Sequence, residues 1–154
     1  MSSSSATALT PRARDLLSRA RVVWIGASRP DGRPHLVPAW FVWDGTEVVV
    51  LSRPGAAKVS LLRRDGRVML GLLDGDLFDG ELFEGEGRVV EAATDDLRER
   101  IADKYGDAIG RHGFTPSSFM STFATSIRIR PNRALDWGRR EQAQRGARLA
   151  LAPI

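Results

Sequence analysis

Two tight turns near the start of the chain constrain the fold more than any other feature of the sequence. A continuous apolar run at residues 22–25 is typical of a strand that is buried on both sides. It leads through a turn at residues 29–32 into a second strand at residues 34–43. The dipeptide Asp44-Gly45 is a strong hairpin signal, and residues 47–52 form the returning strand. The sequence therefore predicts a meander of antiparallel strands.

Helix and strand patterns continue along the rest of the chain. Helices are predicted over residues 10–20, 56–64 and 94–106, with a short helical stretch beginning at residue 115. Further strands are predicted over residues 67–73, 78–90 and 126–130, with Pro131 interrupting the last strand and residues 134–137 resuming it. Gly85 and Gly87 favour a strongly bent strand, as barrels need at their corners. The fold class is mainly β with short helices (α+β), and the curvature predicts a small barrel.

The absence of cysteine excludes several kinds of chemistry. A chain of 154 residues fits one domain with a proper hydrophobic core. Without cysteine there are no disulfides, thiolate metal sites or cysteine nucleophiles. The two histidines, His35 and His112, stand far apart, and the acidic residues between positions 74 and 86 spread over a solvated strand face, so we predict no metal site. His35 could bond a cofactor carbonyl or a backbone carbonyl, whereas His112 falls in a predicted loop with no evident chemistry.

The net charge of +4 comes from arginine, because Lys58 and Lys104 are the only lysines among 23 basic residues. Much of this excess positive charge lies in the tail at residues 139–154, which has no interleaved aromatic residues. This pattern argues against a nucleic-acid partner. Neither a signal-peptide core nor a membrane span is evident, so we expect a cytoplasmic protein. The predicted organisation is a flexible N-terminus at residues 1–10, one domain at residues 11–138 and an arginine-rich tail at residues 139–154.

Two positions within residues 22–73 suggest a ligand. Pro38 stands in mid-strand, where it cannot donate a ladder hydrogen bond, and so marks a bulge, an edge or backbone that faces something other than a strand. Lys58 lies near a predicted helix start, where backbone N–H groups and a positive charge together suit a phosphate. A solvated surface lysine is the alternative. Trp40 and Trp43 face opposite sides of the strand, which lets one join the core while the other lines a pocket.

The order of several short motifs resembles the pyridoxamine 5'-phosphate oxidase-like split-barrel superfamily. These motifs are Arg29-Pro30-Asp31-Gly32-Arg33-Pro34-His35, Val37-Pro38-Ala39-Trp40-Phe41, the loop at residues 52–58, and Leu61-Leu62-Arg63-Arg64-Asp65 before a strand. Within this superfamily the chain is most similar to the F420-dependent branch. The similarity spans residues 16–137 and includes Ile129-Arg130-Pro131 near its end.

The resemblance implies a six-stranded antiparallel split β-barrel that forms a homodimer, with a flavin or deazaflavin in a groove between the protomers. By position, Lys58 would grip the cofactor phosphate, and Ser52 and Arg53 would contact the phosphate or the cofactor side chain. Members of the family often carry further polar or basic residues before the lysine, whereas this chain has glycine and alanine at residues 55–57.

The resemblance also implies which residues surround the cofactor ring. Pro38, Ala39 and Trp40 match the segment that lines the ring system. Trp137, beside Gly138, could close over the cofactor from the partner subunit.

The implied activity is hydride transfer between reduced coenzyme F420 and an unsaturated small organic substrate. FMN is the alternative cofactor, and binding of a flavin or a tetrapyrrole without turnover is the alternative function. Because the cofactor carries the chemistry in such an enzyme, we assign no catalytic acid, and the proton could come from solvent.

Overall fold

The computed structural model describes residues 9–73 and 80–135. In chain order these residues form α1 (Pro11–Arg19), β1 (Val23–Ser28), β2 (Pro34–Ala39), β3 (Phe41–Trp43), β4 (Val48–Ser52), α2 (Ala57–Arg64), β5 (Arg67–Leu73), β6 (Gly80–Val90), α3 (Asp95–Arg111), α4 (Pro116–Thr122) and β7 (Thr125–Leu135). The flexible N-terminus predicted for residues 1–10 lies almost entirely outside the described residues, as do Trp137 and the arginine-rich tail.

The two edges of the sheet are neighbours along the chain. The described strands form one antiparallel sheet in the order β2-β1-β5-β6-β7-β4-β3. Strand β2 ends at Ala39 and β3 begins at Phe41, so Trp40 alone joins the two edge strands. Two residue steps span at most about 7 Å, so the sheet must curl until its edges lie side by side. This curled sheet with short helices is the split barrel that the sequence predicts.

The break at Trp40 changes the strand count from the predicted six to seven. The strand expected over residues 34–43 is divided, because β2 pairs with β1 whereas β3 pairs with β4. Pro38 consequently stands in an edge strand, opposite Trp24 of β1. An edge is one of the three placements that its sequence context allows. A proline is tolerated there because its missing N–H faces away from the ladder.

Two apolar clusters lie on opposite sides of β3 and β4. The inner cluster fills the barrel with side chains from both strands and with buried residues of α1 and α2. The outer cluster joins Val42, Val49 and Leu51 to the apolar faces of α3 and α4. Trp43 belongs to the inner cluster and Trp40 packs against the outer one, as their spacing predicts. The two helices α3 and α4 therefore cover the outside of the barrel next to the β2–β3 break.

Strand β1 is buried on one face only, so the expectation of burial on both sides is wrong. Val23 and Ile25 are fully buried, whereas Trp24 is 40% exposed. The pairings of β1 with β2 and β5 place further exposed apolar residues beside Trp24. We call this set the outer patch, and it comprises Val22, Trp24, Leu36, Met69 and Leu73. An apolar run in the sequence does not reveal whether the second face is covered by the same chain.

The helix starts follow their predicted caps, but one helix end does not. The hydroxyl of Thr10 accepts a hydrogen bond from the N–H of Ala13 at 3.1 Å, and Thr94 and Thr115 cap α3 and α4 in the same way. Helix α3 was expected to stop at Gly106 but continues to Arg111. Gly106 is exposed, and the apolar face before and after it is buried, which offsets the roughly 1 kcal/mol that a mid-helix glycine costs.

The last strand also differs from its prediction, since β7 passes through Pro131 without a break. A register shift between Glu84 and Gly85 of β6 absorbs the proline, and Gly85 pairs with Pro131. A Cβ at Gly85 would lie 2.8 Å from the carbonyl oxygen of Arg130, so the close approach of the two backbones requires glycine. Among the described residues, no helix is long and apolar enough to cross a membrane.

Candidate cofactor site

A cavity of about 500 Å³ lies beside the β2–β3 break. It brings together residues from the edge strand β2 and the break that follows it, from β4 and α2, and from the chain around α4. The lining residues are Val22, Pro38, Ala39, Trp40, Leu51, Lys58, His112, Phe114, Phe119 and Phe123. Four of the residues predicted to bind a cofactor thus line the same cavity, namely Pro38, Ala39, Trp40 and Lys58.

The start of α2 gives one end of the cavity the character of an anion site. Ala56, the residue before the helix, supplies no capping side chain, so the first N–H groups of the helix have no side-chain acceptor. Lys58 is half-buried and forms no ion pair with any described residue. Burial lowers the pKa of Lys58 because desolvation penalises the charged amine. The N–H of Val59 in this turn already donates to the carbonyl oxygen of Ala56 at 3.0 Å, so an anion placed here would pair with the amine and with the N–H groups that precede Val59.

The other predicted phosphate contacts occupy different positions. Ser52 is fully buried, and its hydroxyl donates to the carbonyl oxygen of Arg53 at 3.2 Å. The guanidinium of Arg53 lies over the ring of Phe123, 5.3 Å from its centroid, and Phe123 lines the cavity. Arg53 is therefore at the rim of the cavity, while Ser52 is behind it. Trp137 lies outside the described residues.

Aromatic rings form one wall of the cavity. Phe119 stacks on Phe123 with 4.5 Å between centroids, and the edge of Phe114 meets both rings at 5.7 and 5.9 Å. Trp40 joins this cluster through Phe119, at 5.7 Å and an interplanar angle of 24°. Such a wall suits a flat, conjugated ligand, because offset and edge contacts between rings stabilise it beyond simple burial.

Sequence reasoning missed His112 and the three phenylalanines of this wall. His112 follows the last residue of α3, and its ring lies 5.7 Å from that of Trp40 at an angle of 58°. These residues belong to a segment that is far from Trp40 in sequence, and the curl of the sheet brings them together. The high density of aromatic side chains between positions 112 and 123 was the available signal. Among the described residues, no group of three or more His, Asp or Glu side chains could hold a metal ion.

The chain belongs to the pyridoxamine 5'-phosphate oxidase family, whose model matches residues 9–138. The match spans every described element of the barrel and both ends of the cavity. No curated protein matches the sequence.

Solved structures with the same fold differ in what they bind. One is an F420 reductase, with 20% identity and a TM-score of 0.68 over 82% of this chain and 98% of the other. A conserved hypothetical protein of Mycobacterium tuberculosis has 26% identity and a TM-score of 0.67 over 97% and 92% of the two chains. The haem-storage protein HutZ of Vibrio cholerae has 18% identity and a TM-score of 0.62 over 81% and 91%. These similarities establish the fold, and the cavity must supply the argument for function.

Proposed function

We propose that this protein is an F420-dependent oxidoreductase that transfers hydride between the reduced deazaflavin and an unsaturated small organic substrate. The observation that carries the proposal is that Lys58 and the segment at residues 38–40 line one cavity although they belong to different elements. A cofactor with a phosphate at one end and a planar ring at the other matches that combination of a cation and an aromatic wall.

The phosphate end would be held by the uncapped start of α2 together with Lys58. The free N–H groups of the helix start point along the helix axis toward an anion, and the helix dipole adds to their attraction. The amine of Lys58 contributes a full charge from inside the cavity. An anionic ligand would oppose the desolvation that lowers the pKa of Lys58, so its binding should be accompanied by proton uptake at alkaline pH.

The ring end would be enclosed by Pro38, Ala39 and Trp40 on one side and by the phenylalanine wall on the other. When bound, a reduced deazaflavin supplies the hydride. The protein would hold the ring in place and keep water from its face, because the wall consists of apolar side chains.

A neighbouring groove favours F420 over the alternative cofactor FMN, which ends at its phosphate. Ala57, next to Lys58 in α2, lines a groove of about 430 Å³ together with Arg29 and His35. Asp31 also lines it but has an ion-pair partner, Arg33, at 3.6 Å. An acidic oligoglutamate tail that continues past the phosphate would meet Arg29 there.

Titration of the purified protein with F420, with FMN and with a deazaflavin that lacks phosphate and tail tests this proposal. F420 should bind most tightly, as measured by cofactor fluorescence. Lys58→Met should weaken F420 binding about ten-fold or more, since it removes a charge-assisted contact. Lys104→Met is the matched control, because Lys104 lies outside the cavity, and it should leave the affinity unchanged. Absence of F420 binding, or equal affinity in wild type and Lys58→Met, would refute the proposal, and tighter FMN binding would favour the alternative cofactor.

A second candidate function is the binding of haem or another tetrapyrrole without turnover. It is favoured by His112, since an imidazole in the wall of an aromatic cavity can serve as an axial ligand. Haem titration separates the two functions. A Soret shift that disappears in His112→Gln would support haem binding, and His35→Gln is the control because His35 lines the neighbouring groove instead.

We also propose that the protein is a homodimer that buries the outer patch. Val22 belongs to the outer patch and also lines the cavity, so a second copy that packs there would border the open side of the cofactor site. Exposed apolar surface of this kind, on an otherwise charged protein, is typical of an interface. Each protomer would then contribute to the enclosure of both cofactors.

A further inference from the structure

The end of α3 fixes the position of His112 by backbone hydrogen bonds. The N–H of Phe114 donates to the carbonyl oxygen of Ile109 at 3.1 Å, and that of Gly113 donates to Gly110 at 3.0 Å. This pair of bonds is the Schellman arrangement, which needs a left-handed residue, and Gly113 has φ of +80°. His112 is therefore held at a defined place on the cavity wall although it follows the last helical residue.

Few groups in the cavity can move a proton. Of the described residues that line it, eight are apolar, and only Lys58 and His112 have side chains that titrate. The ring of His112 contacts Trp40, at the end of the cavity where the planar ligand would lie. Histidine is the side chain best suited to donate a proton near neutral pH.

We infer that His112 is the proton donor of this cavity, poised to protonate the substrate anion that forms when hydride is added. The inference rests on the proposed function. Hydride leaves the reduced deazaflavin and forms a C–H bond at one end of the substrate double bond, whose electron pair moves to the other end. That end takes the proton from the imidazolium of His112, so one N–H bond breaks as the new bond to hydrogen forms. The neutral imidazole then takes up a proton from water. The oxidised cofactor would release one proton to water, so no net proton is gained or lost in the cycle.

The surroundings of His112 allow this cycle. The side chain is exposed, so water can reprotonate it after each turnover. Among the described residues, Lys58 lines the cavity and Arg53 lies over Phe123 at its rim, while Arg111, which precedes His112, is paired with Asp107 at 3.0 Å. No described carboxylate lines the cavity to compete for the imidazolium.

Binding of 4-nitrophenol to the protein without cofactor tests the inference independently of turnover. Its phenolate is a flat anion with a distinct visible absorbance, and nitrobenzene is a neutral ligand of the same shape. His112→Gln should weaken binding of the phenolate about ten-fold and leave binding of nitrobenzene unchanged, because only the phenolate gains a charge-assisted hydrogen bond. His35→Gln should bind both ligands as the wild type does. Equal phenolate affinity in wild type and His112→Gln, loss of that affinity in Lys58→Met alone, or no binding to the wild type would overturn the inference.

Turnover of cyclohexenone by the F420-loaded protein provides the second measurement, since hydride addition to this enone leaves an enolate that must be protonated. His112→Gln should keep the wild-type affinity for F420 while its kcat falls on the order of 10²-fold. F420 binding with equal kcat in both proteins would overturn the inference and leave the proposed function standing. Failure of F420 to bind would refute the proposed function, and the phenolate measurement would then decide on His112 alone.

Discussion

The indole of Trp40 lies parallel to the phenol ring of Tyr105, with 4.9 Å between centroids and 4° between planes. Trp40 is the residue that joins the two edges of the sheet, and Tyr105 is a fully buried residue of α3. The stack therefore ties the helix layer to the point where the barrel is split. The indole of Trp40 also contacts the rings of Phe119 and His112, so this one residue links the buried helix face to the cavity wall.

Tyr105→Phe should destabilise the fold although it preserves the stacked ring. The Tyr105 hydroxyl accepts a hydrogen bond from the N–H of Phe41 at 2.8 Å and donates to the carbonyl oxygen of Phe41 or Arg21, at 2.7 and 2.9 Å. Burial raises the pKa of Tyr105 to about 12, so it remains a donor at neutral pH. Without the hydroxyl, a buried N–H loses its acceptor, and the free energy of unfolding should fall by about 1–3 kcal/mol. Urea denaturation measures this, and an unchanged midpoint would contradict the assignment.

Glu47→Gln should destabilise the part of the sheet formed by β6, β7 and β4. The Glu47 carboxylate is 4% exposed and accepts hydrogen bonds from Arg88 and from Nε of Arg128, the latter at 2.7 Å. The hydrogen bond from Arg88 is the main reason why the pKa of Glu47 is lowered, and burial opposes it. Removing the charge leaves Arg88 without its ion pair, whereas Arg128 keeps its pair with Asp44 at 2.6 Å. The loss should cost roughly 1–3 kcal/mol of the free energy of unfolding.

The lowered pKa of Glu47 also gives this variant a characteristic pH dependence. A carboxylate whose pKa is depressed by folding stabilises the protein above its ordinary pKa, and this stability is lost as pH falls through the lowered value. The wild type should therefore lose stability in the acid range, and Glu47→Gln should lose less of it. Parallel melting curves at about pH 7 and about pH 4 measure the difference. Equal acid losses in the two proteins would contradict the role of the ion pair.

Local chemistry predicted the barrel, because turns and caps depend on residues close in sequence. The Asp44-Gly45 hairpin and the threonine caps of three helices are as expected. The split at Trp40 could not be predicted, since residues 34–43 form a continuous strand pattern and their division depends on two different partner strands. The exposed face of β1 was also missed, because an apolar run does not reveal whether one or both faces of a strand are covered.

The candidate site was predicted only in part, because some of its residues have a local sequence signal and others do not. Pro38 interrupts a strand pattern and Lys58 lies at a predicted helix start, so the local sequence indicates each of them separately. The family resemblance linked the two residues. His112 and Phe119 do not interrupt a local pattern, and the density of aromatic residues around them is equally typical of a helix face that packs on a core. Only the position of α3 and α4 against the split brings them to the cavity.

Leu36→Asp should dissociate the proposed homodimer. Leu36 is 63% exposed on the edge strand β2 and is the most exposed residue of the outer patch. A carboxylate there costs little in the monomer but would be desolvated in an apolar interface. Light scattering should report a dimer for the wild type and a monomer for the variant at the same concentration. Ser121→Asp, on the exposed side of α4, is the control and should remain dimeric. A monomeric wild type, or a dimeric Leu36→Asp, would contradict the interface.

Lys104 is a buried cation whose removal should stabilise the protein. Its amine lies 4.1 Å from the centroid of the Phe41 ring and has no hydrogen-bond partner among the described residues. Burial is the main reason why the pKa of Lys104 is lowered to about 8, and the charges of Arg21 and Arg100 contribute in the same direction. Below this pKa the folded protein carries an unfavourably desolvated charge, which the cation–π contact with Phe41 offsets only in part.

Lys104→Met should therefore raise the melting temperature at neutral pH and remove a pH dependence that the wild type shows. Between the folded pKa of about 8 and the ordinary value of 10.5, the unfolded chain binds a proton that the folded chain does not. Stability contributed by Lys104 thus rises with pH across that window. Melting curves at about pH 7 and about pH 9 measure this rise, because tyrosine in the unfolded chain is still mostly protonated at the upper pH. A variant that melts below the wild type at pH 7 and keeps the full rise would show that the amine is solvated.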